Sequence, residues 1–259
     1  MLQEILICRL RNCCWIHPHC CGAPWKSRRH RMVRDMDATD PPPMPVTPTE
    51  AASLVILRGP VEAPDVLLGR RRDTARFMPG YFVYPGGAVD APDVALAASD
   101  WPGSRFHAAA IRETWEEAGV SLARPGTLHA DLVTLDPCFS ALNAMGLRPA
   151  SEALQYIARA ITPPTSPIRF DTRFFLTGTE DMHGTATAIG ELPEVVWMPV
   201  VSALSSTKLS GVTKFVLGEA LSLWQRGEGL FEPSRPVRVY TYEHGARLIR
   251  RESQSDGLA

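Results

Sequence analysis

The chain has 259 residues, 45 % hydrophobic and 21 % charged, with a net charge of -1. That length holds one large domain or two small ones around a sizeable core. A near-neutral balance gives no case for bulk nucleic-acid binding, and no apolar run approaches the roughly 18–20 residues of a membrane helix.

Five of the six cysteines, Cys8, Cys13, Cys14, Cys20 and Cys21, lie in the first 21 residues, and Cys138 stands alone. A body with one cysteine is not a disulfide-stapled secreted domain, so a reducing cytoplasm is the expected location. Adjacent Cys pairs with His17 or His19 do not match common zinc spacings. The basic run from Lys26 to Arg34 follows no apolar segment of the kind a secretory signal needs. Residues 1–48 are therefore expected to be a disordered extension, or the product of an upstream start codon, ending in a stiff Pro-rich linker. The folded domain is expected over residues 49–243, and residues 244–259 read as a polar, frayed tail.

In chain order, the β-branched apolar run 51–58 predicts a strand, and 65–69 its partner after a Gly-Pro turn. Residues 81–84 form a short aromatic strand that ends at Pro85-Gly86-Gly87. Residues 88–103 read as a loop. Residues 104–118 predict a helix, with Ser104 as N-cap and Gly119 as its stop. Strands follow at 156–161, 173–177 and 194–198. An amphipathic helix is expected at 212–226, with Phe215, Leu217, Leu221 and Trp224 inward. Strands interspersed with helices indicate an α/β layered fold.

The 104–118 helix carries the chemistry. Positions i, i+3 and i+4 share a helix face, so Glu113, Glu116 and Glu117 project together. Their mutual repulsion calls for a cation, and clustered hard oxygen donors suit Mg²⁺ or Mn²⁺. Arg112 is placed to pair with one carboxylate and fix its rotamer. Gly86 and Gly87 permit close backbone approach to a ligand or metal.

The run Arg112-Glu113-Thr114-Trp115-Glu116-Glu117-Ala118-Gly119-Val120 resembles the second half of the Nudix box, G-x5-E-x7-R-E-U-x-E-E-x-G-U, where U is an apolar residue. The first half departs from it. Asp93 stands where the box has Glu, and eleven extra residues separate it from Arg112. Asp93 is thus a doubtful functional residue, and Asp90 is another candidate for a supporting carboxylate. The resemblance implies a Nudix-type α/β/α sandwich with a mixed sheet and a catalytic loop-helix-loop. It implies Glu116 and Glu117 as metal ligands, Glu113 as a ligand or base-positioning group, and Arg112 as an orienting group. It also implies the Gly86 carbonyl as a metal contact. Glu191, six residues before Trp197, is similarly placed to an extra metal-site glutamate of some members.

Leu67, Leu68, Arg71, Arg76, Gly80, Pro85, Gly86 and Gly87 fall on the spacing of the coenzyme A diphosphatases of this superfamily. Thr162–Phe175 resembles a stretch of the peroxisomal-type subfamily. That likeness implies cleavage of coenzyme A or acyl-CoA to phosphopantetheine (or its acyl form) and 3′,5′-ADP. Arg71 and Arg76 would bind phosphate, and Arg169, Phe170 and Arg173 would touch substrate. The alternatives are a hydrolase of ADP-ribose, NADH or a dinucleoside polyphosphate, or a non-catalytic nucleotide-binding module. Family members are often dimers, so a homodimer is expected here, with neither nucleic acid nor membrane as partner.

Overall fold

The structure is a computed structural model that describes residues 46–227 and 234–259. The expectations for residues 1–45 fall outside the described residues.

The elements run β1 (Thr49–Arg58), β2 (Asp65–Arg70), β3 (Phe82–Val83), β4 (Gly86–Ala88), α1 (Ala91–Ala97), α2 (Arg105–Ala118) and β5 (Val120–Pro125). They continue as α3 (Ala130–Val133), α4 (Pro137–Ala144), β6 (Leu147–Pro149), β7 (Gln155–Ile161), β8 (Phe170–Thr177), β9 (Met182–Gly184) and β10 (Glu194–Pro199). The remainder are α5 (Val200–Ser205), α6 (Gly211–Trp224), β11 (Val237–Glu243), β12 (Ala246–Glu252) and α7 (Gln254–Leu258). Among the described residues no helix is long and apolar enough to cross a membrane.

The main sheet has the order β10-β2-β1-β8-β7-β11-β12, with β3 on β2 and β4 on β1. It is mixed: β1 runs parallel to β8 and β7 parallel to β11, while the other pairs are antiparallel. A second small sheet has the order β6-β5-β9. Strand β1 is covered on both faces, which is why its sequence is apolar without alternation. Ala52, Leu54 and Ile56 pack in the cluster that includes α2, and Val55 and Leu57 in the cluster that includes α6. The result is the helix–sheet–helix layering expected from the sequence.

Three readings are corrected. Residues 88–103 are not all loop, because Ala91–Ala97 is helical. The Asp90 backbone N–H donates to Asp93 Oδ2 at 2.9 Å, and Pro92 sits in the first turn, where its missing N–H costs nothing. In α6 the fully covered stripe is Val216, Leu217, Ala220 and Leu223, while Phe215, Leu221 and Trp224 are half-buried at its flanks. Residues 244–259 are not a frayed tail: β12 and α7 are ordered elements. His244 and Gly245, both at positive φ, make the two-residue turn that folds β12 onto β11. One charged side chain of this segment finds inward partners. Glu252 accepts from Tyr156 Oη at 2.6 Å and Arg159 Nη1 at 2.8 Å.

Candidate active site

Strand β1 pairs on one edge with β2 at Leu57 and Arg58 and with β4 at Ala51, Ala52 and Ser53. Gly86 and Gly87 thus lie against the sheet where α2 passes beside it. A Cβ added to Gly87 would stand 2.5 Å from Glu113 Cδ and Oε1, so only glycine leaves that carboxylate room. The left-handed Gly119 (φ 69°) ends α2 directly after the glutamates, with its N–H donating to Trp115 O.

Arg112 is the hub of the site. Its Nε and Nη2 donate to Asp93 Oδ1 and Oδ2 at 3.1 and 2.8 Å, and Nη2 also donates to Ala88 O at 2.9 Å. Its Nη1 donates to Glu113 Oε1 at 3.0 Å and to the Glu116 oxygens at 3.3 and 3.4 Å. Both Arg112 and Asp93 are buried. Burial pushes the Asp93 carboxyl up, against the pull of Arg112. Surrounding carboxylates hold the guanidinium protonated despite burial. Asp93 therefore orients Arg112, and it does not line the cavity.

Glu117 is buried, and its Oε2 accepts the Gly86 N–H at 3.0 Å. Burial raises its carboxyl to about 8, and burial likewise raises Glu113 to about 7. Both carboxyls thus resist ionisation even with Arg112 beside Glu113 and Arg71 acting on Glu117. Glu116 is the most open of the three.

Glu191 reaches the same place through its loop. Thr187 and Ile189 donate their N–H groups to Ala118 O and Glu117 O at 3.0 and 3.2 Å, and Arg72 Nη2 donates to Gly190 O at 3.1 Å. Glu191 then stands 3.7 Å from Arg71, and both act on the Glu117 carboxyl electrostatically. The Arg71 Nε is buried with no partner. Among the described residues, no three His, Cys, Asp or Glu side chains stand close enough to hold a metal ion between them as they are oriented here. Arg112 and the Gly86 N–H occupy the carboxylates instead.

A cavity of about 750 Å³ opens onto this cluster. Gly86, Arg71, Glu191, Arg112, Glu113, Glu116 and Glu117 line it, as do Asp90 and Phe170. Three expected substrate contacts do not. Arg76 is exposed and outside the lining. Arg173 is a correction: it is buried on the other face of β8, 3.9 Å over the Phe106 ring, with Nε donating to Gly257 O at 2.9 Å. Strand alternation explains it, since Thr172 and Phe174 face the cavity and their neighbour must face away. Arg169 is likewise outside the lining, and its Nε and Nη2 donate to Thr162 O. Sequence reasoning missed Tyr84, Thr213, Tyr240 and Tyr242, which also line the cavity. The signal available for Tyr240 and Tyr242 was their period-2 spacing on a strand.

An acidic helix ending at a left-handed glycine, laid against a Gly-Gly strand over an open cavity, defines a class of site. Residues 47–212 match the family model of the NUDIX domain, and the chain belongs to that family. It is 33 % identical over 144 residues to the putative nudix hydrolase 7 of Caenorhabditis elegans, a match covering 51 % of this chain and 46 % of that protein. The chain thus spans about half the length of the curated relative it matches. Its fold is similar to the crystal structure of a NUDIX hydrolase from Alicyclobacillus acidocaldarius. The TM-score is 0.56 at 33 % identity, over 68 % of this chain and 92 % of that one.

Proposed function

We propose that this chain is a metal-dependent hydrolase that cleaves a diphosphate bond by attack of water at phosphorus. The observation that carries the reading is the convergence of Glu113, Glu116 and Glu117 on one cavity, held by Arg112 beside the Cβ-free surface of Gly87. The residues fit a hard divalent cation: the donors are carboxylate oxygens, and burial makes Glu113 and Glu117 costly to ionise despite the arginines near them. Glu116 and Glu117, with Glu113, Glu191 and the Gly86 carbonyl as further donors, are the residues that would hold Mg²⁺ or Mn²⁺. Such an ion neutralises diphosphate oxygens and lowers the pKa of bound water.

The chain's own groups do the rest. Glu113, which lines the cavity and is held by Arg112 at 3.0 Å, is placed to accept a proton from the attacking water. Arg112 fixes the Glu113 and Glu116 rotamers. Arg71, which lines the cavity, donates to a phosphate oxygen and offsets the charge that develops on the leaving group.

The substrate reading is coenzyme A or an acyl-CoA, giving phosphopantetheine or its acyl form and 3′,5′-ADP. It is supported by the Leu67–Gly87 pattern and by Arg71 and Phe170 lining the cavity. Incubation with Mg²⁺ or Mn²⁺ and coenzyme A, acetyl-CoA, a longer acyl-CoA, ADP-ribose, NADH and a dinucleoside polyphosphate, resolved by mass, tests it. Release of 3′,5′-ADP from the coenzyme A compounds alone is expected. Cleavage of ADP-ribose or NADH instead would retain the hydrolase and discard coenzyme A.

A further inference from the structure

One row of residues crosses the sheet in register. Ala88 on β4 stands opposite Ala51 on β1, Ala51 beside Thr172 on β8, Thr172 opposite Ala160 on β7, and Ala160 beside Tyr240 on β11. All five line the cavity. The first four are small, so they floor a trough, and Tyr240 closes it. Four strand spacings of about 4.8 Å put its two ends about 19 Å apart. Tyr242, two residues further along β11, lines the same wall, with its ring 5.8 Å from that of Tyr240.

Charge divides the cavity along this row. Arg112, Glu113, Glu116, Glu117 and Asp90 lie at the Ala88 end, and Arg71 and Glu191 pair beside Glu117. Beyond β1 the described lining is uncharged: Thr172, Ala160, Ile161, Pro163, Phe170 and the two tyrosines among it. Phe77 reinforces it edge-to-face on Phe170, 5.7 Å between centroids. A phosphate or carboxylate placed there would lose water and meet no charged group of the described lining; Arg247 lies outside it, with its guanidinium 5.8 Å over the Tyr240 ring. The match to the NUDIX family ends at residue 212, so β11 and its tyrosines lie outside the matched segment.

We infer that Tyr240 and Tyr242 determine the specificity of this cavity, and that the trough takes an uncharged, extended apolar arm of the substrate whose diphosphate lies at the carboxylates. The inference rests on the diphosphate reading above. For a coenzyme A substrate it orients the molecule: the acyl-pantetheine arm lies in the trough, and the 3′-phosphoadenosine lies on the other side of the diphosphate, outside it. Longer acyl chains then gain affinity, by up to about fourfold per methylene buried.

The test uses the two halves of such a substrate, so that it does not depend on turnover. S-octanoyl-pantetheine and adenosine 3′,5′-bisphosphate are titrated by calorimetry into the full chain without divalent metal. The apolar half binds, and Tyr242→Ala weakens it at least about tenfold. Ala160→Phe, which fills the trough floor instead of emptying its wall, weakens it similarly, and the bisphosphate is unaffected by either change. No binding of the apolar half, or an affinity in both variants equal to the parent's, overturns the inference. So does a loss confined to the bisphosphate. Coenzyme A that binds in this pattern yet survives incubation with Mg²⁺ or Mn²⁺ would instead contradict the hydrolase reading alone.

Discussion

Arg112 grips Asp93 with two hydrogen bonds, 3.1 Å from Nε and 2.8 Å from Nη2, and Asp93 is fully buried. The residue that the sequence marked as a doubtful match to the box is thus the one that sets the guanidinium. Removing one member of a buried pair leaves the other without its partner, at a cost of about 3–5 kcal/mol. Asp93→Ala should therefore lower the unfolding free energy by about that much in urea titration. The folded fraction should also turn over more slowly, because Arg112 then turns away from Glu113 and Glu116. A variant as stable and as active as the parent would remove Asp93 from the site's support.

Gly87→Ala puts a methyl group 2.5 Å from the Glu113 carboxylate. The side chain must yield, and a displacement of about 1 Å at a reacting group costs on the order of 10²-fold in rate. Steady-state kinetics should show kcat reduced by about that factor while circular dichroism stays unchanged.

The metal-free protein should lose stability as pH rises. Glu113 and Glu117 have folded pKa values of about 7 and about 8, raised from 4.5 by burial. A raised pKa means the native state holds its proton more tightly than the unfolded chain. The contribution is full below pH about 4.5 and is lost as pH climbs through about 7 to 8. Glu50 and Glu152 shift the other way, so their effect is confined to lower pH. Melting temperature in a chelator should fall between about pH 5 and pH 8, and Mg²⁺ should restore more of it at pH 8 than at pH 5. A flat profile with a pH-independent metal effect would contradict the burial of these carboxylates.

Arg71 and Arg173 should separate cleanly. Arg173→Ala removes a buried guanidinium stacked on Phe106 and bonded to Gly257, so it should cost stability, about 2–4 kcal/mol, with KM little changed. Arg71→Ala should raise KM about tenfold or more at little cost in melting temperature.

The helix at 104–118, its cap and its stop were readable because local chemistry determines them: three carboxylates on one face and a glycine needed at positive φ. The strands around Leu54, Leu67 and Phe175 were readable because burial on both faces leaves a continuous apolar signature. What was hidden depended on distant partners. Arg173 read as a substrate contact because it lies in the stretch that resembles the coenzyme A diphosphatases, and only the register of β8 turns it toward Phe106. The segment after Glu243 read as polar because Glu252 is charged, and only the fold brings Tyr156 and Arg159 to it. Arg76 matched a spacing, yet its loop directs it outside the cavity.

On the proposed function, the α2 carboxylates drive metal-dependent cleavage of a diphosphate bond. Comparing the parent chain with Glu117→Gln, by mass-resolved hydrolysis in Mg²⁺ or Mn²⁺ alongside a melting curve, tests it most directly. The substitution keeps the shape of the side chain and removes its charge. Hydrolysis by the parent and its loss in the variant, at equal or higher melting temperature, is the predicted result; undiminished metal-dependent hydrolysis in Glu117→Gln would contradict the assignment.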